Sequence, residues 1–290
     1  MEIGKEVGMG PDVRFRPAAM NCSHRFFSLE ASFASAADSG FEAVELWTGP
    51  MHFFLDYASN DTPEKITRLA NSFGLDVCAL CPEQNNPKPA NIAARGKESI
   101  KRTKDYFLRA INVASELGVE IVVVTPGWGF LDEERAEAWK RSVYMLGDLS
   151  SYAACKGIVL AVEALQPEES NLCNRCEDLR RLIDEVGSSA LKVLLDTGAM
   201  WRAHETMQDY FDAFGKDVVH CHFTDAGTVS HLAWGDGERN LEADLLALTR
   251  NDYKGYLSFE IVGSQYYANP ASADRRSLAA YRRVLEEIHS

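Results

Sequence analysis

Residues 157–171 read GIVLAVEALQPEESN. An apolar run is interrupted only at Glu163, and the chain then leaves through a polar stretch carrying Glu168 and Glu169. A run this continuously apolar suits a parallel sheet covered by helices rather than a sheet with one wet face. A carboxylate at its exit is costly to bury unless a cation or a hydrogen-bond network meets it. Glu163 therefore has two readings, a solvated turn or half of a metal and acid–base site, and the rest of the chain has to separate them.

The same short apolar run recurs along the chain. Strand candidates are 16–21, 43–47, 75–81, 119–126, 157–165, 191–197, 218–224 and 255–262. Amphipathic segments at 29–39, 62–73, 98–117, 132–155, 175–187, 204–215, 241–252 and 271–288 separate them. Ser28 stands as a cap with Ala31 at the third helical position, and Gly40, Gly74, Gly118, Gly157 and Gly187 stand where helices should stop. Alternating strand and helix units over 290 residues predict an α/β protein, a single-domain (β/α)8 TIM barrel spanning 15–290. Residues 1–14 have little periodicity and are expected to form an N-terminal arm. No GxGxxG follows the first strand and no GxxxxGK[ST] occurs, which weakens a nucleotide-binding alternative.

Composition narrows the class. Thirty Lys and Arg against 43 Asp and Glu leave a net charge of −13, which opposes broad attraction to polyphosphates, so no nucleic-acid partner is expected. The seven cysteines fall mostly in or beside apolar segments; their odd number outside a small secreted framework favours reduced thiols in a cytoplasmic protein. Cys173 and Cys176 have CxxC spacing but no partner pair, and a helix start is the plainer reading. Neither a signal sequence nor a stretch long enough to span a bilayer is found, so no membrane association is expected.

In a barrel the C-terminal strand ends converge on one mouth. Glu163 closes strand five, Asp196 strand six and Glu260 strand eight, while His222 lies late in strand seven. Singly, each has a quieter explanation: a rim salt bridge for either Glu, a cap in the DTG turn for Asp196, a satisfied half-buried imidazole for His222. Together, on consecutive strands, they suit a divalent cation with positions left for substrate oxygens. Mixed carboxylate and imidazole donors favour Mn²⁺, with Co²⁺, Mg²⁺ and Zn²⁺ as alternatives. His220 shares a strand face with His222 and would lie deeper; Asp225 reads either as a ligand or as a turn cap. Glu83, Trp128 and His231, on predicted mouth loops, are candidate substrate contacts.

The stretches GFEAVELWTGPMHFF, EALQPEESNLCN, HCHFTDAG, GDGERNLEADLLAL and GYLSFEIVGSQYYANP resemble the xylose-isomerase-like TIM-barrel family, and within it the ketose 3-epimerases. The resemblance implies one divalent cation held by Glu163, Asp196, His222 and Glu260, with the two glutamates as opposed acid–base groups. It also implies Glu169 as a contact to substrate hydroxyls, a small ketose or ketose derivative as substrate, and homo-oligomerisation. The expected reaction inverts C3, the metal polarising the C2 oxygen so that charge spreads into an enediolate while one glutamate removes a proton and the other returns one to the opposite face. Two departures are clear: Ala199 and Thr228 stand where monosaccharide epimerases carry a substrate-contacting histidine and an arginine. Related abasic-site endonucleases use a larger ligand set, of which Thr125 and Ala199 are losses and His231 alone a match. Other readings are an aldose–ketose isomerase, a noncatalytic carbohydrate-binding barrel and a metal-dependent hydrolase.

Overall fold

A computed structural model describes residues 16–84, 88–288 and 290. Eight parallel strands close on themselves in sequence order: β1 Arg16–Met20, β2 Ala43–Trp47, β3 Asp76–Cys81, β4 Ile121–Val124, β5 Val159–Val162, β6 Leu191–Asp196, β7 Val218–His222 and β8 Tyr256–Phe259. Around them run α1 Leu29–Ser39, α2 Pro63–Phe73, α3 Lys97–Leu117, α4 Arg135–Cys155, α5 Cys176–Val186, α6 Thr197–Ala203, α7 Met207–Phe214, α8 Leu241–Arg250 and α9 Pro270–Ile288. The barrel is that expected from the sequence; the proposed arm at 1–14 lies outside the described residues.

Local chemistry sets the helix boundaries. The Ser28 hydroxyl accepts from the Ala31 amide at 3.1 Å and starts α1. Gly40, left-handed at φ 91°, ends it by donating to the carbonyls of Ala36 and Ala37. The segment expected as a helix at 204–215 holds α7, and a short helix that was not expected, α6, precedes it. The Asp196 carboxylate accepts from the Ala199 amide at 2.9 Å and starts α6 directly from the strand, which His204 then ends in the left-handed region. Thr206 and Asp209 cap each other reciprocally to begin α7. A strand-end carboxylate doubling as a helix cap explains why α6 shows no separate start signal.

Strands fill the barrel with alternate side chains. Ala18, Ala43, Cys78 and Ala79 form a small-residue cluster, while Met20, Cys22, Cys81, Val123, Ala161 and Leu194 form another nearer the strand exits. The intervening residues Ala19, Val44, Leu80, Val122, Val124, Leu160 and Val162 pack outward with the helices in the main core. Such two-faced burial is what the unbroken apolar runs encode. Most strands are shorter than their apolar runs, β4 and β5 having four residues each, while β2 keeps the expected bounds 43–47. No described helix is long and apolar enough to cross a membrane.

Candidate metal and acid–base site

The four strand-exit residues meet. Asp196 and His222 end neighbouring strands and are direct partners in the β6–β7 register. Nδ1 of His222 lies 3.0 Å from an oxygen of Glu260 and 3.4 Å from one of Glu163, so the two glutamates approach one imidazole nitrogen from β8 and β5. Glu163, Asp196 and His222 each offer a donor atom within 4.8 Å of the others. All three are buried, and Glu260 is only partly exposed.

His231 joins this group. Its ring lies 3.4 Å from Glu260 and 3.8 Å from Asp196, and these three also present donors within 4.8 Å of one another. His231 is left-handed at φ 56°, beside a two-residue bridge between Asp225 and Leu232. Asp225 builds that loop, accepting from the amides of Ala226, Gly235, Gly237 and Arg239 at 2.8–3.0 Å. The turn-cap reading of Asp225 is therefore realised. A Cβ at Gly237 would sit 2.5 Å from the Asp225 carboxylate, so the loop also needs a residue without one.

Below the exits lies a residue that the strand-exit reasoning missed. Glu45, in the middle of β2 and fully buried, accepts from Nε2 of His220 at 2.8 Å and from Nε2 of His222 at 3.1 Å. The signal was present: a lone carboxylate inside the apolar strand AVELW, in the same alternating phase as Trp47. The Glu45 contact at Nε2 holds the His222 ring so that its Nδ1 faces Glu163 and Glu260.

The residues fit a divalent cation on this geometry. Nδ1 of His222 and Nδ1 of His231 are buried without an aligned hydrogen-bond partner, and both face carboxylates. Three acidic groups crowd into the same space. Burial pushes the Glu163 carboxyl up to about 8. For His222 burial pulls downward, but Glu260 and Glu45 outweigh it and hold the imidazole well above its ordinary value. Burial likewise opposes protonation of His231, yet Asp196 and Glu260 carry it to about 9. Burial also disfavours ionised Glu260 and Glu45; the imidazoles facing each win and hold both carboxyls below the ordinary range. Protons thus do the work of neutralisation that a cation would take over.

This has a consequence for stability. Glu163 and His231 bind protons more tightly in the fold than at their ordinary values of 4.5 and 6.5. Their contribution is complete below those values and is lost as pH rises through about 8 and 9. Without a divalent ion the thermal midpoint is expected to fall between pH 6.5 and pH 9, and saturating Mn²⁺ to raise it most at the alkaline end. Calorimetric scans with and without the ion measure both; a metal-free midpoint that rises over that interval would contradict this account.

Above the acidic group opens a cavity of about 390 Å³ lined by Glu163, Glu169, Glu260, His231, Trp47 and Arg25, with Glu83 at its edge. Glu169 is held by the amide and side chain of Gln166, each 3.3 Å from its carboxylate. Glu168 points away to Arg202 at the surface. Trp128 is not on this wall: Asn91 grips its backbone and its ring packs on Phe130. The aromatic wall is Trp47 instead, with Arg25 above its ring at 5.6 Å. The CxxC pair takes no part, since among the described residues no cluster able to hold a metal contains a cysteine.

Fold and site together define a TIM barrel with a polar, cation-ready mouth. The chain belongs to the Xylose isomerase-like TIM barrel family, whose pattern covers residues 33–284. It is 26% identical over 269 residues to a fructoselysine 3-epimerase of Shigella flexneri, covering 92% of this chain and 96% of that one. A probable endonuclease 4 of Metamycoplasma arthritidis is 27% identical over 174 residues, 60% of each chain. Among solved structures, an L-ribulose 3-epimerase superposes with a TM-score of 0.78 at 22% identity, over 95% of this chain and 98% of that one, a likeness of fold.

Proposed function

We propose that this protein is a divalent-metal-dependent epimerase that inverts C3 of a ketose or ketose derivative, with a fructosamine-type substrate supported by its 26% identical relative. One observation carries the reading: two glutamates, from the β5 and β8 exits, approach a single imidazole nitrogen at 3.4 and 3.0 Å, and both line an open cavity. Glu163, Asp196, His222 and Glu260 would hold the cation, with Mn²⁺ preferred for its mixed carboxylate and imidazole donors and Co²⁺, Mg²⁺ or Zn²⁺ as substitutes. When bound, the ion supplies an electrophile for the C2 oxygen and disperses the charge that develops on loss of the C3 proton.

The remaining chemistry belongs to the side chains. For one epimer Glu260 takes the C3 proton and Glu163 returns one to the opposite face; for the other the roles exchange. Glu169, Glu83 and His231, all on the cavity wall, contact substrate hydroxyls. Trp47 presents an apolar face to the sugar ring.

An acidic protein with no histidine at 125 or 199 suits a small sugar rather than nucleic acid. Free thiols at all seven cysteines accord with a cytoplasmic protein. Homo-oligomerisation, implied by the family resemblance, is part of the same reading.

The test is the metal-reconstituted protein incubated in D₂O with ketoses, ketose phosphates and fructosamines, products read by NMR. Deuterium at C3 together with the C3 epimer is expected. Exclusive C1/C2 interconversion would replace the reading with an aldose–ketose isomerase, and release of a fragment without exchange would replace it with a hydrolase. Binding with no metal-dependent exchange would point to a noncatalytic carbohydrate-binding barrel.

A further inference from the structure

The cavity above the acidic group has a neighbour. A second cavity of about 460 Å³ adjoins it, and Pro50, Glu83 and Lys88 line both. Each volume alone lies in the range of about 300–1,000 Å³ typical of small-molecule sites. The second lies between the β2 and β3 exits, with Phe54, Leu55, Tyr57 and Tyr106 as apolar wall.

The shared boundary is built rather than incidental. The Glu83 amide donates to the Thr48 hydroxyl at 3.0 Å, and the Tyr106 hydroxyl donates to the Glu83 carbonyl at 2.8 Å. Lys88 faces the Glu83 carboxylate at 3.8 Å, so that charge is answered within the boundary. The other acid on the wall, Asp56, turns inward to its own loop, accepting from the amides of Ala58 and Ser59 at 2.6 and 2.7 Å. Arg102 differs from both. Its guanidinium lies 5.7 Å above the Tyr57 ring, and among the described residues no carboxylate pairs with it. The cavity thus pairs a largely apolar wall with one cation free to meet an anion.

We propose that this second cavity is a substituent site, and that the substrate is a ketose joined to an apolar chain ending in an anion, with Arg102 as its counterion. The inference rests on the epimerase reading and narrows its substrate class. It also gives a physical place for the absence of histidine at Ala199 and arginine at Thr228: grip on the sugar itself is supplemented by grip on what it carries.

The probes are fructose, and fructose carrying a 5-carboxypentyl chain at C1 through nitrogen or at C6 through oxygen, each also made with an amide or an ammonium in place of the carboxylate. With Mn²⁺ present, C3 exchange on one carboxylate probe is expected to exceed that on fructose and on the matching amide by about tenfold in kcat/KM. Which linkage responds identifies the end of the sugar that faces the second cavity. Arg102→Met is expected to erase the preference for carboxylate over amide, Arg102→Lys to retain part of it, and calorimetric affinity for the carboxylate probe to fall in parallel. Arg102 is exposed, so its replacement spares the core.

Equal efficiency on fructose and every substituted probe would overturn the substituent site while leaving the epimerase intact. A preference for the ammonium probe, or an equal loss on carboxylate and amide probes in Arg102→Met, would overturn it too. No C3 exchange on any probe would sink the epimerase reading and the substituent site with it.

Discussion

Glu163→Gln and Glu260→Gln are each expected to slow C3 proton exchange by about 10²–10⁴-fold at saturating Mn²⁺, the usual worth of a positioned acid or base. The reasoning is geometric. Both carboxylates reach the same nitrogen of His222, and an inversion needs one group on each face of C3. Glutamine keeps the shape and an oxygen able to ligate a cation, but it neither takes nor gives a proton. Measuring exchange and epimer formation separately sharpens the result. If one glutamate serves as base for one epimer only, its variant loses exchange from that epimer first, and the ratio of exchange to inversion differs between starting sugars. Metal content, read by mass spectrometry on the same samples, separates lost chemistry from lost ligation. Either variant retaining most of its exchange rate with metal bound would remove that glutamate from the proton-transfer pair.

Much of this architecture is written locally. Runs such as IVVV at 121–124 are apolar on both faces, and an eightfold alternation with helices leaves few folds other than a barrel. Glu163, Asp196, His222 and Glu260 were legible because strand exits in a barrel share one mouth, so the fold supplies their proximity. The features that escaped depend on three-dimensional neighbours. Glu45 sits mid-strand, and only closure of the barrel brings β2 opposite β7 to reveal its two imidazole partners. The wall aromatic proved to be Trp47 rather than Trp128, because Asn91 ties the β4 exit down and points it elsewhere. His231 read as a sugar contact from its loop position; the Asp225-centred turn swings it to within 3.4 Å of Glu260. Helix α6 was hidden because its cap is also the last residue of a strand.

Glu45→Ala is expected to destabilise the protein by about 3–5 kcal/mol, the cost of breaking a buried charge network by removing one partner. Two imidazole N–H groups at 0% and 1% exposure would lose their acceptor together. Metal affinity is expected to fall about 10–100-fold as well, since Glu45 orients His222 and makes it a better donor. The pH dependence distinguishes this from a mere cavity. Burial disfavours the Glu45 carboxylate, but His222 and His220 more than compensate and hold its proton affinity below the ordinary value of 4.5. Its stabilisation is therefore present above about pH 4.5 and is lost as pH falls through the lower folded value. Denaturant titrations at neutral and acid pH should show a large gap between parent and variant that narrows on acidification. Glu45→Gln adds a second comparison: it conserves volume and accepts from one imidazole, yet its amide donors meet the N–H of the other. It should recover packing but not the affinity for Mn²⁺ measured by calorimetry. If Glu45→Gln bound Mn²⁺ as tightly as the parent, the Glu45 charge would have no part in holding His222 for the cation, and β2 would contribute packing alone.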